Sequence, residues 1–259
     1  MINQLLCFDV DGTLVDVRPA REYIPESTIK TLKELQEKGH FVAIATGRSF
    51  AMAKDYMKQF KIQNMVHDGG NGITIDEQCI EIIPLNKEDC CALADECDAK
   101  GIPWGISPED APYRLAKDDR FHEFTHDTYL ETRVQEGVHP SQFPEVKKMY
   151  IACYPGEEEK IVSLKKLPHV RFHHEYIFVE PDDKSIGIKR MMEHLQAPIE
   201  DVVVFGDERN DLKMFLPEIW TCIAMGNAVS ELKEKATFVT KNVDDDGIYY
   251  ACQHFGWVE

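Results

Sequence analysis

Apolar residues follow two rhythms along this chain, and the change of rhythm marks its organisation. Leu6-Cys7-Phe8 runs straight into Asp9-Val10-Asp11, and Gly12-Thr13 follows at once. Such a run predicts a buried strand that ends in a turn. Behind Pro25-Glu26-Ser27-Thr28, the residues Ile29, Leu32 and Leu35 recur at three-residue spacing ahead of Gly39. That is an amphipathic helix with a glycine just past its end. Phe41-Val42-Ala43-Ile44-Ala45 is apolar throughout, as a strand covered on both faces is. Strand, helix and strand in this order make a βαβ unit, with parallel strands and a right-handed crossover. The pattern then predicts a helix over 50–60 and a strand over 64–67. After Asp68-Gly69-Gly70-Asn71-Gly72 it predicts a hairpin of 73–75 and 79–83 around Asp76-Glu77-Gln78.

From Pro84 the rhythm changes. Residues 86–100 read as a helix, 102–106 as a short strand and 147–154 as a longer one. A helix is expected over 157–164 and strands over 170–173 and 176–179, while 108–144 has no clear period. The parallel pattern returns with a helix from Lys184 to about 196 and a buried strand over 201–205. A short helix at 212–216, a strand at 221–225 and a last helix at 247–255 complete it. The expected fold class is α/β, with a Rossmann-like parallel sheet core from 1–83 and 181–259 and an inserted α+β domain at 84–180.

Of the 259 residues, 46 are acidic and 29 basic, a net charge of −17. That balance opposes binding to nucleic acid or to an anionic membrane, so a phosphate ligand must be held by local positive charge. The start Met1-Ile2-Asn3-Gln4 carries no basic segment, and no apolar run approaches a membrane span, which points to the cytosol. The eight cysteines form no Cys-x-x-Cys pair, and most sit in apolar patterns, so free buried thiols are expected.

This composition makes the acidic motifs more informative. In a strand Asp9 and Asp11 would share one face, a costly pairing unless a hard cation such as Mg2+ lies between them. Taken alone, the motif is equally an ordinary turn. It also resembles the start of a Ca2+ loop, but the third acid and the closing Glu are missing. Thr46-Gly47-Arg48 follows the second strand, Lys184 opens a helix, and Gly206-Asp207-Glu208-Arg209-Asn210-Asp211 follows the strand at 201–205. Ligand sites of open parallel sheets lie beyond such strand ends. Together these residues fit phosphoryl transfer. A metal held by Asp9 and Asp207 would neutralise one side of a phosphoryl group, and Thr46, Lys184 and Asn210 would hold its other oxygens. One carboxylate of the first pair would attack phosphorus and the other would move protons.

Other conspicuous residues carry less. His173 and His174 are adjacent, and would face opposite ways in a strand. Cys90 and Cys97 suit a core stripe on one helix, and Asp244-Asp245-Asp246 suits an amino-terminal cap on the last helix. Trp104, Arg114, Lys117 and His122 lie in the insertion, where spacing does not separate substrate contact from packing.

Phe8-Asp9-Val10-Asp11-Gly12-Thr13-Leu14, Thr46-Gly47-Arg48, Lys184 and Gly206-Asp207-x-x-Asn210-Asp211 resemble the four signature motifs of the haloacid dehalogenase superfamily phosphatases. Asn71-Gly72, Ala224-Met225-Gly226-Asn227-Ala228 and Asp246-Gly247 resemble its Cof-like branch, which carries a type IIB α/β cap. The resemblance implies Asp9 as nucleophile and Asp11 as general acid and base. It implies Mg2+ held by Asp9, Asp207 and the backbone carbonyl of Asp11, and phosphate held by Thr46, Gly47, Lys184 and Asn210, with Asp211 in support. Glu208, Arg209 and Ser185-Ile186 depart from the family pattern. The implied activity is hydrolysis of small phosphate monoesters, sugar phosphates foremost, through an aspartyl phosphate. A sugar phosphomutase of the same superfamily and a receiver-like phosphoacceptor switch are the alternatives. The expected partner is a small phosphorylated metabolite, with no nucleic acid or membrane; the pattern gives no signal for oligomeric state.

Overall fold

The computed structural model describes residues 3–18 and 22–259. Met1 and Ile2, part of the start read above, lie outside them. The described chain divides into two compact units, one formed by the chain up to Arg48 with Ala53–Glu81 and Asp183–Glu259, the other by Ser49–Met52 and Ile82–Asp182.

The first unit opens with β1 (Leu5–Phe8), α1 (Glu26–Glu37), β2 (Phe41–Ala45), α2 (Phe50–Phe60), β3 (Asn64–His67), β4 (Gly72–Ile75) and β5 (Gln78–Ile82). The second holds α3 (Lys87–Lys100), β6 (Trp104–Ser107), β7 (Tyr113–Ala116), α4 (Arg120–Thr125), β8 (Glu131–Val134), β9 (Lys148–Ala152) and β10 (Tyr176–Val179). The chain then returns to the first with α5 (Lys184–Leu195), β11 (Val202–Gly206), β12 (Thr221–Ala224), α6 (Ser230–Lys235), β13 (Phe238–Val239) and α7 (Gly247–His254).

The first unit's sheet has the order β13-β12-β11-β1-β2-β3-β4-β5. Strands β1, β2, β3, β11, β12 and β13 run parallel, and β4 turns back antiparallel on β3. Every residue of β1 is fully buried, as an unbroken apolar run between two layers requires. Leu5 and Cys7 share one core with Ala43, Val204 and the α5 residues Ile188 and Met191. Because β1 pairs with β2 on one side and with β11 on the other, the direction of strand succession reverses there. Parallel sheets form their binding crevice at such a point, beyond the strands' carboxyl ends.

The second unit's sheet has the order β10-β9-β6-β7-β8, antiparallel except where β7 meets β8. Cys90, Leu93 and Cys97 of α3 pack on one face, against Trp104, Ile106, Met149 and Ile177. Phe121 of α4 covers the other with Tyr150, Tyr176 and Phe178. The fold class is the expected one, a parallel α/β core with an inserted α+β sheet.

Several local expectations need correction. The helix expected at 157–164 is two 3-10 turns, Glu158–Lys160 and Ser163–Lys166. Ile161, Leu164 and Leu167 are buried at three-residue spacing, which 3-10 turns satisfy as well as an α-helix does. The strand expected at 170–173 reduces to one bridge from Val170 to Phe178. There the Arg171 guanidinium donates to the carbonyls of Cys153, His173 and His174, supplying side-chain bonds in place of a ladder. No helix forms at 212–216. Pro217 disfavours the helical region for the residue before it, and only the 3-10 turn Arg209–Asp211 precedes it. The 108–144 segment, which lacked a period, contains β7, α4 and β8. None of Asp244, Asp245 and Asp246 caps α7 through its side chain. Asp244 pairs instead with Arg18, Asp245 with Lys241, and Asp246 accepts from Ser27. All eight cysteines are free, but Cys79 is exposed on the edge strand β5 and not buried as expected. Among the described residues no helix is long and apolar enough to cross a membrane.

Candidate active site

β1 stops at Phe8, one residue before the first carboxylate. The Asp9 amide still donates to the Phe205 carbonyl at 3.1 Å, so its backbone continues the ladder with β11. From Val10 the chain coils back, with the amides of Leu14 and Val15 donating to the Val10 carbonyl at 3.0 and 2.9 Å. The two carboxylates are therefore positioned by this turn, with β1 already ended, and not by strand pleating. Asp9 is 4% exposed, whereas the Asp11 side chain is 41% exposed and gripped by the Arg48 guanidinium at 2.9–3.2 Å.

The neighbouring strand β11 ends at Gly206 and delivers Asp207 and then Asp211 from the turn that follows. One oxygen of each of Asp9, Asp207 and Asp211 lies within 4.8 Å of the others. Lys184, at the first position of α5, sends its buried ammonium to Asp9 Oδ1 at 2.5 Å and Asp211 Oδ1 at 2.6 Å. The helix start is fixed by Asp183, whose Oδ1 accepts from the Ser185 amide and hydroxyl. Ser185, a departure from the family pattern, is thus used in the cap. Asp211 Oδ2 accepts from the amides of Asp207 and Glu208 at 2.9 and 3.3 Å, closing the loop on itself.

Three carboxylates therefore face one ammonium in a nearly dry space, and their proton affinities respond. Burial, with the charge of Asp211, pushes Asp9 up to about 7 against the opposing pull of Lys184. Burial, with the charges of Asp9 and Asp211, pushes Asp207 up to about 8. Burial works against the charge of Lys184, but Asp211 and Asp9 outweigh it and hold the ammonium above its ordinary value. A hard divalent cation relieves such crowding and prefers carboxylate oxygen. The donor set of Asp9, Asp207 and Asp211 fits one.

Thr46 follows β2, is buried, and accepts the Arg48 amide on its hydroxyl at 3.1 Å. At Gly47 nothing lies within 4 Å of where a β-carbon would stand, so the backbone there is open to approach. Asn210 sits in the 3-10 turn after β11, and its buried carboxamide oxygen has no hydrogen-bond partner. No direct hydrogen bond joins Thr46 or Asn210 to the acidic cluster among the described residues. Glu208 and Arg209 stay out of the cluster, because Arg209 turns to Glu231 of α6 at 2.7 Å and Glu208 accepts the Arg209 amide.

Sequence reasoning gave no role to three residues that shape the site. Arg48 stood inside a quoted motif, yet its grip on Asp11 is not visible in spacing. Thr13 donates to Asp207 Oδ1 at 3.1 Å across 194 positions. Asn227 donates to the Gly12 carbonyl at 2.8 Å and accepts the Val243 amide at 2.9 Å, bracing the first loop from the far end of the chain. Gly12 has φ +83°, and a β-carbon there would fall 2.0 Å from Asp207 Oδ2, so the approach of the two loops demands glycine. In the second unit the candidates for substrate contact are mostly engaged in packing. Trp104 and Arg114 are buried, and Lys117 pairs with Asp98, whereas His122 is exposed.

A sequence model of the haloacid dehalogenase-like hydrolases matches residues 6–252. The "Putative phosphatase YkrA" of Bacillus subtilis (strain 168) is 36% identical over 261 residues, spanning 99% of this chain and 99% of that protein. A crystal structure of a hypothetical protein from Geobacillus kaustophilus HTA426 matches 99% of this chain and 100% of its own, with a TM-score of 0.85 at 30% identity. A HAD subclass IIB sugar phosphatase matches 98% of this chain and 100% of its own, with a TM-score of 0.75 at 27% identity.

Proposed function

The chain belongs to the haloacid dehalogenase-like hydrolases and is a phosphatase of that family, and from this premise we propose that it hydrolyses small phosphate monoesters, sugar phosphates foremost, through a phosphorylated Asp9. The observation that carries the reading is the convergence of Asp9, Asp207 and Asp211 around the Lys184 ammonium.

In this reading Asp9 is the nucleophile. One of its oxygens is engaged by Lys184, and the other attacks phosphorus as the bond to the leaving alkoxide breaks. Asp11, more exposed and steadied by Arg48, gives its proton to that alkoxide. It then takes one from the water that cleaves the aspartyl phosphate, so the cycle closes with Asp9 again a free carboxylate and Asp11 again carrying its proton. Lys184, Thr46 and Asn210, with the open backbone at Gly47, hold the phosphoryl oxygens. The space before Gly47 supports the last of those roles. Asp9, Asp207 and the Asp11 carbonyl would hold Mg2+, with Asp211 in support, and the ion would supply charge neutralisation at the phosphoryl group. Asp211 keeps Lys184 upright and ties down the Asp207 loop.

We assign residues 84–180 the role of a cap that selects the leaving group. Phosphate release from a chromogenic phosphomonoester should require Mg2+ and vanish in Asp9→Asn. Full activity in that variant removes the nucleophile assignment. A panel of phosphorylated metabolites assayed in parallel tests the sugar phosphate class, and substitutions in the cap that leave the ranking unchanged would contradict its role.

A further inference from the structure

Beyond the motifs just used, one segment of the first unit combines unusual backbone, buried polar groups and a direct link to the site. Asp68, Gly69 and Gly70 follow β3 and all have positive φ, at 53°, 62° and 104°. A non-glycine residue in this region needs a local reason, and Asp and Asn tolerate it best. The reason here is a buried side-chain network. Asp68 Oδ2 bonds His67 Nδ1 at 2.7 Å, and His67 Nε2 meets the Thr74 hydroxyl at 3.1 Å, with all three residues buried.

The turn so held is clamped onto the amino terminus of α5. The Gly69 carbonyl accepts the Asp183 amide at 2.9 Å. A β-carbon on Gly70 would stand 2.1 Å from the Asp183 carbonyl oxygen, and one on Gly187 would stand 3.0 Å from the Gly70 carbonyl. From the helix itself, Arg190 donates to the Gly70 and Asn71 carbonyls at 3.1 and 3.2 Å while pairing with Glu81. The same turn reaches the other cation of the site, because the Asp68 amide donates to the Arg48 carbonyl at 2.9 Å. Lys184 bonds Asp9 and Arg48 bonds Asp11, so both cations are referred to one short piece of backbone.

We infer that the Asp68–Gly70 turn, locked by His67 and held to α5 by Arg190, sets where the Lys184 ammonium stands over Asp9, and that Asp68 and Arg190 are positioning residues for phosphate binding. Neither reaches the phosphate itself. Both act through the placement of residues 183 and 184. The inference rests on the phosphate-binding role given to Lys184 above. A displacement of about 1 Å in such a group is enough to cost up to roughly a hundredfold.

The test uses the full chain, with inorganic phosphate as the probe, and compares wild type with Asp68→Ala, Asp68→Asn, Arg190→Gln and Lys184→Ala. Three quantities are read: the inhibition constant of phosphate against a chromogenic monoester, the melting temperature, and Mg2+ binding by calorimetry. Asp68→Ala and Arg190→Gln should each raise the phosphate constant about tenfold or more with Mg2+ binding retained. Asp68→Asn, which keeps both the left-handed tolerance and an acceptor for His67, should restore it to within about threefold of wild type. A merely structural role would lower the melting temperature without separating phosphate from Mg2+. The inference is overturned, with the Lys184 reading intact, if Lys184→Ala weakens phosphate while Asp68→Ala and Arg190→Gln do not. If Lys184→Ala itself leaves the constant unchanged, the reading beneath it fails as well. Should Asp68→Ala not fold, Arg190→Gln alone decides.

Discussion

Each unit of this protein buries charge, and the two do so to opposite ends. In the second unit Arg114 is 0% exposed and meets a single carboxylate, Asp127, which also accepts the amides of Tyr129 and Leu130. The guanidinium lies over the ring of Phe121 at 4.3 Å, with Tyr150 and Tyr176 beside it, and donates to the Thr132 hydroxyl. Lys148 and Glu180 form a second buried pair there. Cation and anion match one for one. In the first unit Lys184 faces Asp9, Asp207 and Asp211, and the sum stays negative. A matched pair is finished when the chain has folded, whereas an excess of buried carboxylate is stable only once something positive arrives. The contrast separates a structural use of buried charge from a functional one, and it shows in proton affinity. Burial works to raise Asp127, but the Tyr129 amide and Arg114 hold it below its ordinary value, while Asp9 and Asp207 are pushed up to about 7 and 8.

The largest expected effect concerns catalysis. Asp9→Asn should lower phosphatase turnover by about four orders of magnitude, as loss of a nucleophile does elsewhere. The same substitution should raise the melting temperature of the metal-free protein, because it removes one of the crowded charges. A variant that is both inactive and less stable would erase the distinction between the two units. Next comes Asp127→Ala, which strands Arg114 in a dry interior and should cost about 3–5 kcal/mol in denaturant unfolding. A cost near zero would mean that the pair is not structural.

Mg2+ provides a third comparison. At a hundred times its dissociation constant, an ion that binds only the folded state stabilises by about 2.7 kcal/mol. That gain should appear in wild type and disappear in Asp207→Asn. The pH dependence sharpens it. Asp9 and Asp207 bind protons more tightly folded than at their ordinary 3.8, so their favourable contribution in metal-free protein is full below 3.8 and is lost as pH rises through 7 and 8. Asp127 is depressed, so its contribution is present above 3.8 and lost as pH falls below it. Melting curves of Asp9→Asn and Asp127→Asn across pH should therefore flatten opposite limbs. The smallest effect belongs to Arg48→Gln. Its half-exposed pair with Asp11 should change stability by no more than about 1 kcal/mol while lowering kcat, and an unchanged kcat would remove Arg48 from the site.

The parallel core was legible because its strands are unbroken apolar runs that end in turn-forming acids, glycine and threonine. Asp9, Asp207 and Asp211 stand just beyond those ends, and Lys184 opens the helix where the parallel pattern returns. What spacing could not show are the bonds that depend on the sheet closing. Thr13 on Asp207, Asn227 on Gly12 and Arg48 on Asp11 join loops that meet only because β1 lies between β2 and β11. In the second unit, Ile161, Leu164 and Leu167 fit either helix type on paper, and packing selected the 3-10 turn. For Arg114 spacing left substrate contact and packing open, because sequence does not reveal that Asp127 and three aromatic rings enclose it.

The most direct test of the account is calorimetric titration of Mg2+ into the metal-free protein, side by side with Asp207→Asn and Asp127→Asn. One binding event in wild type and Asp127→Asn, absent from Asp207→Asn, is the predicted result. Undiminished binding in Asp207→Asn would contradict the claim that the surplus carboxylates of the first unit hold the ion.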